Sequence, residues 1–239
     1  MQSTRPEKSL QYHIDGLHQR GSHLSKRRRR PAAPRKTVPG PVRRPVGVRI
    51  IGGRLRGRKL CYTGQWITRP MKDRVREALF NILGPAVEGK WAIDLFAGTG
   101  ALGIEALSRG ANYATFIEQH VPTAENIRQN LAELGLREQA EVVASSAISW
   151  AQQICKAPQA SAPIAAPWLV FCSPPWDYYV QRRDQMIALL EGLIEAAPAD
   201  SVFVAEWDQR FECQRLPQYR NWDIRPYLPA IIGIYTKHR

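Results

Sequence analysis

From residue 71 onward the hydrophobic positions of this chain switch repeatedly between two spacings. Compact apolar runs at 91–93, Tyr113–Ile117, 141–143, Trp168–Cys172 and 201–206 predict buried strands. Between them, apolar residues recur at three- and four-residue steps, which predicts helices. Val75, Ala78, Leu79, Ile82 and Leu83 line one face of 71–83, with Lys72, Asp73, Arg76 and Glu77 on the rest, and Gly84-Pro85 ends that helix. Leu102, Ile104, Ala106 and Leu107 define a second helix. Pro122 opens a third, with Ile127, Leu131 and Leu134 inward and its end near Gly135. Residues 145–155 predict a fourth, and 180–196 a fifth with Met186, Leu189, Leu190 and Leu193 facing the core. Strand alternating with helix implies an α/β fold: a parallel sheet covered on both sides, with ligands beyond the carboxyl ends of the strands. Asp94, Glu118, Ser146 and Ser173 all fall at such ends. Two late strands, near Trp222–Tyr227 and Ala230–Thr236, have little helix between them.

The front of the chain has neither period. Residues 1–47 mix Arg, Lys, Pro, Ser, Gly and His with few apolar positions, and a disordered basic arm is expected there. Residues 48–60 predict a small basic β-hairpin: Val48 to Ile51 is β-prone, Gly52-Gly53 turns, and Arg54, Arg56 and Arg58 alternate with small or apolar residues. Its arginines suit phosphate contacts. They equally suit an edge hairpin protected by charge from aggregation. The remaining stretch, 61–239, is expected to form one domain.

Charge sharpens this division. The net charge of +13 resides in the first quarter, where 17 of the 34 Lys and Arg face only Glu7 and Asp15. Such asymmetry points to a polyanionic partner, with a solvated tail as the plainer alternative. The arm is either an RNA-gripping extension or an over-long start; the sequence leaves both open. Four cysteines (Cys61, Cys155, Cys172, Cys213) lack paired spacing, which argues against a zinc site or a disulfide framework and for a reducing cytoplasm. No apolar run is long enough for a membrane span.

Two stretches carry candidate chemistry. The first runs from the strand ending at Asp94 through Phe96, Ala97, Gly98 and Gly100 into a helix. Glycines bring backbone close to a ligand, and free N–H groups at the helix start hold its polar end. The order Asp-x-x-x-Gly-x-Gly, with an acid at the strand end, suits a ligand bearing a positive amino group. Glu118, 24 residues on at the next strand end, can accept from both hydroxyls of a ribose. The second stretch is Ser173-Pro174-Pro175-Trp176, directly after a buried strand. Two prolines fix the backbone and remove N–H donors that would oppose a substrate amine. The Ser173 hydroxyl and the Pro174 carbonyl then offer two acceptors to one NH2 group, and Trp176 offers a face for a base to stack on.

Asp94 to Gly100, Glu118 and Ser173 to Trp176 resemble the ordered motifs of class I S-adenosylmethionine-dependent methyltransferases acting on exocyclic amines. The opening narrows the likeness. Arg49-Ile50-Ile51-Gly52-Gly53, Arg56 to Leu60, Arg69-Pro70 and Asp73 to Leu83 resemble the start of the bacterial RsmD family, which methylates guanine N2 in small-subunit ribosomal RNA. The likeness runs from about Arg49 to the C-terminus, strongest before Glu118, and the arm lies outside it. It implies a Rossmann-like domain with a mostly parallel seven-stranded sheet, helices on both faces and a C-terminal antiparallel pair. S-adenosyl-L-methionine would be held by Asp94, Phe96, Ala97, Gly98, Gly100, Glu118, Ser146 and Ala147. The substrate amine would be met by Ser173, Pro174, Pro175 and Trp176, and RNA by Arg49, Arg54, Arg56, Arg58, Lys59 and Arg69. The implied partner is ribosomal RNA or a small-subunit assembly intermediate, met by a cytoplasmic monomer with no metal and no membrane. Three positions depart from the family pattern. Ser173 stands where Asp is usual, Ser146 where a polar Asn or Asp is frequent, and Met71 where Thr is common. Rival readings are a DNA amino-methyltransferase, since Ser-Pro-Pro-aromatic also occurs in cytosine-N4 enzymes, and an RNA-binding homologue weakened at Ser173.

Overall fold

The computed structural model describes residues 47–62, 70–158 and 162–238. The apolar runs become β3 (Trp91–Asp94), β4 (Tyr113–Ile117), β5 (Ala140–Val143), β6 (Trp168–Cys172) and β7 (Val202–Asp208), followed by β8 (Trp222–Tyr227) and β9 (Ala230–Thr236). They form one sheet in the order β5-β4-β3-β6-β7-β9-β8. The first five are mutually parallel, while β9 runs antiparallel to both β7 and β8. The helices are α1 (Asp73–Leu83), α2 (Ala101–Ser108), α3 (Val121–Glu133), α4 (Ala147–Ile154), α5 (Tyr178–Gln181) and α6 (Arg183–Ala196). The stretch expected as one helix over 180–196 is thus two, broken at Arg182, whose φ of −125° and ψ of 32° leave the helical region.

Alternation along the strands feeds two cores, because successive side chains of a strand point to opposite faces. Ala92, Ala114, Phe116, Leu169 and Phe171 pack with Val75 and Leu79 of α1, Leu102 and Ile104 of α2, and Ile127 and Leu131 of α3. Trp91, Ile93, Trp168, Val170 and Phe203 pack with Trp150 of α4, Tyr179 of α5 and Met186, Leu190 and Leu193 of α6. Each such fully buried large side chain contributes about 1.5–3 kcal/mol.

The N-terminal pairing is shorter than expected. β1 (Val48–Arg49) and β2 (Lys59–Leu60) pair over two residues each, and a 3-10 turn at Gly53–Leu55 fills the interval. The reason is docking: this segment follows the surface of α2 instead of extending its own ladder. Glu105, fully buried in α2, accepts from the Ile51 and Gly52 amides at 2.8 and 2.7 Å. Ser108 Oγ donates to the Gly52 carbonyl and accepts from the Leu55 amide. Gly53 has φ +71°, and a Cβ there would lie 1.9 Å from the Ser108 carbonyl oxygen, so only glycine fits. Asn130 of α3 clasps both the amide and the carbonyl of Cys61.

Arg76 corrects the expected polar face of α1. It is 1% exposed. Its guanidinium donates to the Arg49 carbonyl at 2.5 Å, to the Met71 carbonyl and to Asp73, with Glu105 3.9 Å away. Burial lowers its pKa and these carboxylates oppose the shift. The charge is tolerated inside because it ties the N-terminal segment to α1 and α2, a partner that helical periodicity does not register.

Candidate functional site

The chain leaves β3 toward β4 and β5 on one side, then returns to β6 on the other. A crevice opens where strand order reverses, at the carboxyl ends of β3 and β6. A cavity of about 460 Å³ lies there, lined by residues following β3, β4, β5, β6 and β7 and by Pro70, Met71 and Val75 at the start of α1. This is the size expected for a small-ligand site. Among the described residues no cluster of His, Cys, Asp or Glu could hold a metal ion, and no helix is long and apolar enough to cross a membrane.

The glycine turn forms one wall. Gly98 and Gly100 take φ of 51° and 75°, where side chains are disfavoured, and Gly100 caps α2. Ala97 is tied to the Ile117 carbonyl, and Phe96 meets Tyr178 edge-on. Asp94, 2% exposed, accepts from the Gly103 amide at 3.1 Å through one oxygen. Burial, partly offset by that hydrogen bond, pushes its carboxyl up to about 7. Glu118 does more than end β4. Its two oxygens accept from the Gly98 amide at 2.9 Å and the His120 amide at 2.8 Å, so it clamps the glycine turn. Each carboxylate oxygen retains a second acceptor site. Ser146 caps α4, accepting from the Ser149 amide at 3.1 Å and donating to its hydroxyl at 2.8 Å, and the buried Ala147 follows. All of these expected cofactor residues line the cavity except Gly100, which supports the turn from behind.

The opposite wall is Ser173, Pro174, Pro175 and Trp176, which follow β6 directly. Here the structure adds a residue that the sequence reading passed over. Glu206 of β7 is 6% exposed and lines the same cavity. It accepts a hydrogen bond from Ser173 Oγ and a second from the Trp176 indole. Burial raises its pKa, and the two hydrogen bonds oppose the rise. The only sequence signal was an acid set between apolar neighbours of a strand, Ala205 and Trp207, because its partner lies 33 residues away.

The expected RNA contacts do not gather at the cavity. Arg49 is paired with Asp73 near the start of α1. Arg54 bonds Gln139, just before β5, and Arg58 bonds the Glu133 carbonyl at the end of α3. Both therefore sit toward the amino ends of the strands, while Thr123 at the start of α3 and Ser145 after β5 line the cavity. Arg56 and Lys59 are exposed, and Arg69 lies outside the described residues. The cations at the cavity itself are Lys72, Arg182, stacked 4.5 Å over Tyr178, and Arg210, paired with Asp177 and Asp208.

Comparison with known proteins agrees with this architecture. A family model described as conserved hypothetical protein 95 matches residues 48–224. The Bacillus subtilis protein YlbH is 33% identical over 165 residues, covering 69% of this chain and 85% of its own. The ribosomal RNA small subunit methyltransferase D of Haemophilus influenzae is 40% identical over 144 residues, covering 60% and 70%. Among solved structures, the Escherichia coli protein yhhF superposes with a TM-score of 0.64 at 32% identity, covering 80% of this chain and 98% of that one. The sheet order, the glycine turn, the tetrapeptide after β6 and these matches together mean that the chain belongs to the RsmD family, that of the ribosomal RNA small subunit methyltransferases D.

Proposed function

We propose that the protein transfers a methyl group from S-adenosylmethionine to the exocyclic N2 amine of a guanine in small-subunit ribosomal RNA. One observation carries the reading: the Ser173–Trp176 loop and the glycine turn form facing walls of a single cavity at the switch point of the sheet. The residues present fit the cofactor. Positive-φ glycines allow close approach of a ligand, Glu118 keeps free acceptor sites for ribose hydroxyls, and Asp94 offers a carboxylate to a cation.

When bound, the cofactor supplies a methyl group on a positively charged sulfur. The protein's share is to orient the acceptor. The amine lone pair of guanine N2 is delocalised into the ring, so the nitrogen is a poor nucleophile. With the Ser173 hydroxyl donating its hydrogen bond to Glu206, both lone pairs of Oγ are free to accept from the amine. Pro174 supplies a second acceptor carbonyl, and Trp176 supports the base face after it leaves its stack. Holding the reacting atoms in line is the main source of rate.

The test is methyl incorporation into ribosomal RNA lacking this modification, followed by mapping of the modified base. Ser173→Ala should slow transfer on the order of 100-fold while cofactor affinity stays near that of the parent. Trp176→Ala should weaken capture of the base by about 1–3 kcal/mol. Methylation of DNA cytosine alone would refute the reading.

A further inference from the structure

We infer that Glu206 is a positioning residue that sets Ser173 and Trp176 toward the substrate amine and receives, through Ser173, the proton the amine sheds after methylation. The inference rests on the amine-methylating reading of this site. Three observations carry it. Glu206 lies at the carboxyl end of β7, the strand beside β6, where Ala205 pairs with Cys172 just before Ser173. Its carboxylate holds both polar groups of the opposite wall, the Ser173 hydroxyl and the Trp176 indole N–H. It is buried, lines the cavity, and among the described residues makes no ion pair with any cation.

A carboxylate that accepts from Ser173 obliges the hydroxyl to present lone pairs, not its proton, to the cavity. After methylation the amine nitrogen carries a positive charge and one N–H proton in excess. That proton passes to Ser173 Oγ while the Ser173 hydroxyl proton passes to Glu206 Oε2. An N–H and an O–H bond break, two O–H bonds form, and the positive amine and the negative carboxylate both become neutral. A buried carboxylate without a cation favours the protonated form, so it is a willing final acceptor.

The charged and titratable groups around Glu206 leave it as the group to titrate in this role. Burial pushes Cys172 on β6 up to about 12 and holds Tyr179 on α5 well above the ordinary phenol value, so both stay neutral. Arg210, past β7, is paired with Asp208 and with Asp177, which precedes α5. Asp94 at the end of β3, Glu118 and His120 after β4, Lys72, Arg182 and Tyr227 line other parts of the cavity. Glu206 works as the anion, so its contribution is present above its raised pKa and is lost as pH falls through it.

The experiment pairs a binding readout with a rate. Guanosine and inosine, which differ by the N2 amine, are titrated against the parent and Glu206→Gln from acid to mildly alkaline pH. The parent should prefer guanosine and lose about tenfold of that preference on the acid side, whereas Glu206→Gln should show no such pH dependence. In single-turnover methylation of ribosomal RNA, Glu206→Gln should be on the order of 100-fold slower and lack the acid limb, with S-adenosylhomocysteine affinity unchanged. Glu206→Asp, which keeps a carboxylate, should recover part of both. A Glu206→Gln variant with the parent's rate and acid limb overturns the inference, as does a rate loss matched by an equal loss of S-adenosylhomocysteine affinity. A parent that methylates no ribosomal RNA refutes the functional reading alone. The guanosine–inosine comparison, which needs no turnover, then decides on Glu206, and absence of a guanosine preference at every pH overturns it.

Discussion

Replacing Asp94 by Asn should make the protein more stable at neutral and alkaline pH, though Asp94 lines the cavity proposed to hold the cofactor. The carboxyl stands near 3.8 when solvated and about 7 in the fold. The sign follows from proton counting. Between these values the folded chain keeps a proton that the unfolded chain has released, so stability falls as pH rises. The contribution is intact below about pH 4, declines up to about pH 7 and is fully lost above that. A shift of some three units corresponds to about 4 kcal/mol. Asparagine keeps an oxygen for the Gly103 amide and has nothing to ionise. Thermal melts of parent and Asp94→Asn without cofactor should nearly coincide near pH 4 and separate by roughly 8–16 °C at pH 8, for a chain of this size. A separation that does not change with pH would refute the burial argument. The same reasoning expects cofactor binding near pH 6.5 to release a proton as a ligand cation meets Asp94, measurable as a buffer-dependent binding heat.

Three further outcomes test the site and its support. Gly98→Val places a β-branched residue at φ 51° and should abolish cofactor binding in calorimetry while the far-ultraviolet circular dichroism stays that of the parent. Glu118→Ala frees the Gly98 and His120 amides together and should weaken cofactor affinity by about 1.5–3 kcal/mol; unchanged affinity would leave Glu118 no part in holding the cofactor. Arg76→Leu removes the buried cation beside Glu105 and should destabilise the fold by about 3–5 kcal/mol in urea titrations, with faster proteolysis in residues 48–62.

Periodicity conveyed the sheet and its helices because most of their stabilisation is apolar burial, which the spacing of hydrophobic residues records directly. The two late strands were legible for the same reason. Buried polar groups were harder to see. Arg76 lies where α1 should be wet, and its distant partners, the Arg49 carbonyl and Glu105, cannot be read from the helix itself. Glu105 gave a fainter signal: an acid within a helix otherwise made of Ala, Leu, Gly, Ile and Ser has no polar face to occupy. On the site, Asp94, Gly98 and Glu118 were visible because their chemistry is local to one strand–turn–helix unit and its neighbour. Ser173 and Trp176 were visible as a motif, but their partner Glu206 was not, since it depends on which strand lies beside β6. The arginines of 48–60 were read by density alone. Their side-chain partners, Asp73, Gln139 and the Glu133 carbonyl, are tertiary facts.

The pairing of β3 with β6 bears on how such an enzyme can change its trade. Asp94 sits opposite Phe171, and the Leu95 amide donates to the Phe171 carbonyl, so the two loops that follow are held one strand apart, about 4.8 Å, by main-chain bonds that any side chains permit. The glycine turn and its Glu118 clamp belong to one side of this seam. The tetrapeptide at 173–176 and its Glu206 strut belong to the other. On the proposed function the second half is an exchangeable cartridge: altering it would change which amine is presented and leave the glycine turn and its clamp in place. A graft must carry both strands of that cartridge, because Ser173 and Trp176 moved without Glu206 lose the anion that orients them.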